Sequence, residues 1–389
     1  MPAEHSTLIG GSTAERRMNC LASYKLEAAA PVPPTSKYAA EGTMLHSVVQ
    51  RCLDDGVEPI KLTGYTEGGS TMTAALATEL VEPALEALEK LFDAYDVTDY
   101  DLITEARVSY NGFDGFGTCD ILISTDRWVF VVDWKFGRGV MVQGGANNQQ
   151  LRFYAGAAME TVPEFFEGDK QIVLAIIQPS AHPALSHGII ERSELEEWVV
   201  DMRSTIAKIL DDDDVGDPVT GKWCRWCNAA PTCPAKHRQV NVALDTDIDA
   251  MIDPIELGKL VGQAADVELW AKSVRRAAYN ELTKGRQVHG YKLVERRRTR
   301  RWDDEEAACA ALLEQGVNDV FEQKVISPAK AEKLIKAAGG DKAAIDDLIV
   351  RPSAGLTMAA EDDKRPAVFE RGVRDASPAD LKLNLNTRG

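Results

Sequence analysis

Between residues 128 and 136 the chain reads WVFVVDWKF, an apolar, aromatic-rich run that ends in an acid and a lysine. Such a run is a strand covered on both faces, because β-branched and aromatic side chains fit a pleated surface and leave water only when something packs on each side. Two similar runs precede it, LITEARVSY at 102–110 and FGTCDILIS at 116–124, separated by turn-forming Gly, Asn and Asp. A fourth, KQIVLAIIQ at 170–178, follows the helical pattern NQQLRFYAGAAME at 148–160. Apolar residues at three-to-four spacing predict further helices over 12–27, 38–53, 71–93, 194–210 and 253–284. Helices followed by β-β-β-α-β make a sheet flanked by helices, an α/β or α+β class.

The chain is long enough, at 389 residues, for one large domain and a smaller one. The charged stretch DDDDVGDP at 211–218 reads as a solvated linker. We expect a main domain over 1–245, a helical connector over 246–285, and a small C-terminal domain over 286–389 with a polar tail after Pro352. No apolar stretch reaches the ~20 residues of a membrane span, and MPAEHSTLIGGSTAERRMNC lacks the pattern of an export signal, so a cytoplasmic site is expected. A net charge of −17 repels polyanions at long range, so any contact with nucleic acid must be local.

Asp120 ends the G-T-C-D corner of one strand and Asp133 closes the next. If those strands pair antiparallel, the two carboxylates meet, and their repulsion is tolerable when a cation sits between them. Hard oxygen ligands favour magnesium or manganese. Lys135, two residues after Asp133, shares its side of the strand. D-x-K by itself reads first as a strand-end ion pair of little energetic weight.

Further residues accompany that pair. EGTMLHSVVQ places His46 four residues after Gly42, and QQLRFYA places Gln150 and Tyr154 four apart on one helical face. The series Gly42 to His46, Gly117 to Asp120, Asp133 to Lys135 and Gln150 to Tyr154 resembles the RecB-like branch of the PD-(D/E)xK nuclease superfamily. The resemblance implies a restriction-endonuclease-like core. It also implies metal ligation by His46, Asp120 and Asp133 with the Trp134 carbonyl, a catalytic Lys135, and Gln150 and Tyr154 holding that lysine or the DNA backbone. Glu105 in ITEARV is a candidate auxiliary acid.

Seven cysteines in a reducing compartment do not form a disulfide framework. Cys224, Cys227 and Cys233 follow C-x2-C-x5-C and need a fourth ligand. His237 would complete a zinc site, and Cys20 would complete a [4Fe–4S] cluster. The layout is similar to AddB-type and CRISPR-adaptation nucleases, with one cysteine before the nuclease motifs and three after, and that resemblance favours iron–sulfur in a structural role. Cys52, Cys119 and Cys309 read as core thiols.

Arg138, Arg152, Lys222, Arg225 and the run Arg296, Arg297, Arg298, Arg300 and Arg301 are the candidate phosphate partners, suited to salt-sensitive contact without base reading. The segment from GYKLVERRRTRRW to DDKRPA also resembles the C-terminal part of a phage family catalogued as a domain of unknown function. The resemblances imply a metal-dependent exonuclease that processes duplex ends in a phage or prophage setting, beside a single-strand-annealing or single-strand-binding protein. A structure-specific endonuclease and a non-catalytic acidic binding or assembly protein are the alternatives, and a homo-oligomer is left open.

Overall fold

The computed structural model describes residues 6–31, 37–137, 141–211, 215–245 and 254–294. Two short helices begin the chain, α1 (Gly11–Asn19) and α2 (Ser23–Ala28), where the apolar spacing predicts one continuous helix. The break falls at Cys20, whose extended backbone (φ −148°, ψ 90°) ends α1 while its N–H donates to the Arg16 carbonyl. The helix α3 (Lys37–Asp55) follows, then a small hairpin of β1 (Thr66–Glu67) and β2 (Ser70–Thr71). A helical run from α4 (Ala74–Leu76) passes through a π-turn at Ala77–Val81 into α5 (Glu82–Ala94).

The main sheet is built from β3 (Asp101–Ser109), β4 (Phe116–Ser124), β5 (Trp128–Trp134), β6 (Gln171–Ile177) and β7 (Leu185–Ile190), in that spatial order. As expected, β3, β4 and β5 form two consecutive antiparallel hairpins. The turn between β4 and β5 is closed by Thr125, whose Oγ1 accepts from the N–H groups of Arg127 (3.1 Å) and Trp128 (2.8 Å). The helix α6 (Gln149–Thr161) crosses over the sheet so that β6 lies parallel to β5, and β7 returns antiparallel at the edge. Sequence patterning misses β7, because LSHGII carries Gly, His and Ser and is largely half-exposed.

Helices cover both faces. One layer packs Met44, Leu45, Val48 and Val49 of α3 and Leu88 and Leu91 of α5 against Ile121, Ile123, Phe130 and Val132. The other packs Leu151, Phe153 and Ala155 of α6, with Leu195, Trp198 and Met202 of α7 (Arg192–Leu210), against Val108, Leu122, Val131 and Leu174. Complete burial of the central strands explains their unbroken apolar runs, since neither face meets water. The chain is thus an α+β fold with a mixed five-stranded sheet between helical layers.

Beyond the sheet, a 3-10 turn at Lys222–Trp226 leads to α8 (Pro234–Leu244) and the long α9 (Pro254–Thr283). The described residues belong to one compact unit, Met1–Glu295. The expected C-terminal domain from residue 295 onward lies outside the described residues, and with it Cys309, Arg298 and Arg300; Arg138 does too.

Candidate metal centre at the end of the central strands

Three acids stand side by side on three adjacent strands. Extending the β3–β4 register sets Glu105 opposite Asp120, between the pairs Thr104↔Ile121 and Ala106↔Cys119. The β4–β5 pairing ends at Ile121↔Val132, so Asp120 and Asp133 are the next positions along. Where that ladder ends, the N–H of Trp134 is taken by a side chain instead: it donates to Asp120 Oδ2 at 2.6 Å. That bond fixes one oxygen of Asp120 and leaves Oδ1 facing the neighbouring strand and helix.

The row depends on a local departure from strand geometry. Glu105 has φ +48°, a left-handed conformation that costs a non-glycine residue about 1–3 kcal/mol. Side-chain alternation slips at the same level on both strands: Ile103 and Ala106 contact one helical layer although they are three apart, and so do Cys119 and Leu122. A regular ladder would send residues three apart to opposite faces.

His46, on α3 one turn after Gly42, reaches this row from the helical layer above. Its Nδ1 lies 3.1 Å from Asp120 Oδ1 and 3.7 Å from Glu105 Oε1, and its ring packs edge-on against Phe136 with centroids 5.5 Å apart. Among the described residues, His46, Glu105 and Asp120 are the one group of three or more such side chains whose ligand atoms all lie within 4.8 Å of one another. Two hard carboxylates with one imidazole form a donor set suited to a divalent cation.

Asp133 stands beside that set, engaged by other partners. Gln150 Nε2 donates to its Oδ1 at 2.7 Å, and Lys135 Nζ lies 2.6 Å from its Oδ2, an ion-pair contact without a well-angled hydrogen bond. Gln150 can reach it because Asn148 caps α6, its side chain accepting from Leu151 N at 3.0 Å, which starts the helix with Gln150 in the first turn. Gln150 Nε2 also lies 3.4 Å from the Tyr154 hydroxyl one turn on. Tyr154 is 3% exposed and needs room: a Cβ on Gly11 would come within 2.5 Å of its ring, and one on Gly117 within 3.0 Å. The glycine of the Gly117–Asp120 motif therefore admits the tyrosine of the Gln150–Tyr154 motif.

Electrostatics follow from this crowding. Burial alone would lower the His46 pKa, but Asp120, Glu105 and Asp133 outweigh it and push it up to about 10. Burial and the neighbouring Asp120 raise Asp133 to about 6 against the opposing pull of Lys135 and His46. Lys135 is raised above its ordinary value, because Asp133 and Asp120 overcome the cost of burying its ammonium. The raised His46 and Lys135 thus set two cationic groups against three acids.

The cysteines lie elsewhere in the same unit. Cys20 Sγ accepts from Val219 N at 3.4 Å, joining the end of α1 to the segment that carries Cys224, and burial raises the Cys224 thiol, with Cys233 and Cys20 adding to it. Burial, Glu27 and Cys224 push the Cys227 thiol up to about 12. The thiols do not close into a set within 4.8 Å of one another. The sulfurs of a tetrahedral zinc site, at Zn–S of ~2.3 Å, would lie only about 3.8 Å apart. The alternative ligand His237 is engaged elsewhere, its Nε2 lying 2.8 Å from the Pro231 carbonyl and its ring edge-on to Trp270.

Of the expected phosphate partners, Arg152 is occupied: it bonds the Ala146 carbonyl and the Glu194 carboxylate, with only 12% of its side chain exposed. Lys222 and Arg225 are exposed on the cysteine-bearing loop. Among the described residues no helix is long and apolar enough to cross a membrane. Residues 5–366 match the family model described as a protein of unknown function, DUF2800, and the chain belongs to that family.

Proposed function

We propose that the chain is a magnesium- or manganese-dependent deoxyribonuclease of the PD-(D/E)xK type, acting on DNA ends as an exonuclease. The observation that carries this reading is the convergence of His46, Glu105 and Asp120 into one ligand set beside the Asp133–Lys135 pair. The succession of α3, the β3–β4–β5 meander, the α6 crossover and parallel β6 supports it, since that is the arrangement the motif series calls for.

His46, Asp120 and Glu105, with Asp133 adjoining, would hold a divalent ion, which would supply Lewis acidity toward water and a phosphodiester oxygen. Lys135, its ammonium form favoured by Asp133 and Asp120, offers positive charge and hydrogen bonds to a phosphate oxygen as negative charge develops there. Gln150 holds the Asp133 carboxylate so that the lysine beside it stays in place, and Tyr154 backs Gln150.

We read the four cysteines as a [4Fe–4S] site on the motif resemblance, with His237, the alternative zinc ligand, engaged at the Pro231 carbonyl. Cys20, Cys224, Cys227 and Cys233 would hold it, and its part would be structural, joining α1 to the segment after the sheet. Processing of duplex ends for recombination or replication in a phage or prophage setting, with a single-strand-annealing or single-strand-binding partner, completes the proposal.

The test is digestion of an end-labelled linear duplex alongside a closed circle of the same sequence, with and without magnesium or manganese. Metal-dependent loss of the linear substrate with the circle intact supports the exonuclease. Cutting of both substrates makes the chain an endonuclease, and cutting of neither removes the proposal.

A further inference from the structure

Trp226 is 63% exposed, the most exposed tryptophan among the described residues. The Arg225 guanidinium lies over its ring, 5.6 Å from the centroid. One 3-10 turn earlier stands Lys222, 80% exposed and, among the described residues, ion-paired with Glu15, a surface pair that costs little to break.

The segment that displays these groups is held firmly. Trp223 Nε1 donates to the Val219 carbonyl at 3.0 Å, and Val219 N is bound to Cys20 Sγ at 3.4 Å. Asn228 N donates to Glu27 Oε1 at 2.9 Å, and Ala229 and Ala230 are buried against Leu26 and Ala30. Exposing an indole on a fixed loop forgoes the burial of a large apolar surface. A ligand that covers the ring recovers it.

We propose that Trp226, Arg225 and Lys222 form a platform for single-stranded nucleic acid, a base stacking on the indole while the two cations meet flanking phosphates. Stacking and phosphate pairing are how proteins hold single strands without reading sequence. Bases in a duplex are already stacked on each other, so an open indole face favours unpaired ones. A chain of net charge −17 repels polyanions at a distance, so binding has to come from short-range contacts of this kind. The helix α1 touches both regions: Lys222 pairs with Glu15, and Gly11 packs on Tyr154 beside Gln150. The choice of nucleic acid over another partner rests on the hydrolase reading.

The test measures binding of a fluorescein-labelled oligothymidylate of about 15 nucleotides by the full-length chain in EDTA, where no cleavage occurs. Trp226→Ala is expected to weaken binding about tenfold to a hundredfold, whereas Trp226→Phe, which keeps an aromatic face, stays within about threefold. Arg225→Ala is expected to flatten the slope of log affinity against log salt by about 0.7. Wild-type affinity in Trp226→Ala overturns the platform and leaves the exposed indole to an acidic protein partner. Equal loss in the Ala and Phe variants, or equal Trp226-dependent affinity for a duplex of the same length, also overturns it. Hydrolysis is scored separately: a chain that cuts DNA but binds strands independently of Trp226 refutes the platform alone, and one that binds through Trp226 but cuts nothing refutes the hydrolase alone.

Discussion

Glu105 stands opposite Asp120 across the β3–β4 ladder in a left-handed conformation, φ +48°, that strands do not otherwise use. Two carboxylates face to face in a left-handed kink are destabilising in themselves, and a cation-binding role accounts for both costs. Backbone and charge separate by substitution. In the metal-free protein Glu105→Gly is expected to be more stable than Glu105→Ala by about 1 kcal/mol, the reverse of the usual order within a strand. Chemical denaturation of the two variants measures the difference, and an alanine variant equal to or more stable than glycine contradicts the strain.

Both large shifts at the site make the metal-free fold lose stability as pH rises, Asp133 in the acid range and His46 in the alkaline range. The raised pKa of His46 contributes stability present below 6.5 and lost as pH rises through about 10. The raised pKa of Asp133 contributes stability present below 3.8 and lost as pH rises through about 6. A divalent ion must displace the His46 proton, so its apparent affinity is expected to climb as pH rises from 7 to 9, by up to about tenfold per unit. Titration of manganese by calorimetry in buffers of different ionisation enthalpy should show about one proton released per ion bound. A heat that does not depend on the buffer would contradict the assignment of His46 as a ligand.

Tyr154 sits where Gly11 and Gly117 leave space for it. Gly11→Ala places a methyl group about 2.5 Å from the tyrosine ring and should cost about 1–3 kcal/mol as the ring is pushed aside. Because Gln150 lies against that hydroxyl, cleavage should fall more in this variant than in Gly42→Ala, where the added Cβ meets nothing within 4 Å. Equal activity of the two variants would mean that Tyr154 only fills space.

Anaerobically purified protein should carry about four iron atoms per chain and lose them in Cys20→Ser. Iron content with the visible absorption spectrum decides this. Stoichiometric zinc would remove the iron–sulfur cluster, and iron retained in Cys20→Ser would remove Cys20 from the ligand set.

The sheet was legible because β3 to β6 are made of β-branched and aromatic runs bounded by turn residues. The edge strand β7 was not, since its burial is too slight to demand an apolar pattern. The break between α1 and α2 has no glycine or proline to mark it. At the site, the antiparallel placement of Asp120 and Asp133 followed from their strands, but the standing of Glu105 depends on a backbone kink that its residue type does not announce. Arg152 shows the converse limit: a cation two residues from Gln150 invites a phosphate, while its real partners, Ala146 and Glu194, are set by the packing of α6 on α7. The grouping of Cys20 with three cysteines two hundred residues later came from resemblance, because spacing cannot show a contact over that distance.

The measurement closest to the central claim is magnesium- or manganese-dependent cleavage of linear duplex DNA by the wild-type chain, by Asp120→Asn and by Lys135→Met. The account predicts cleavage by the wild type and a loss of about a hundredfold or more in each variant, with the fold retained. Cleavage at the wild-type rate by either variant, or none by a wild-type chain that binds the ion, would contradict it.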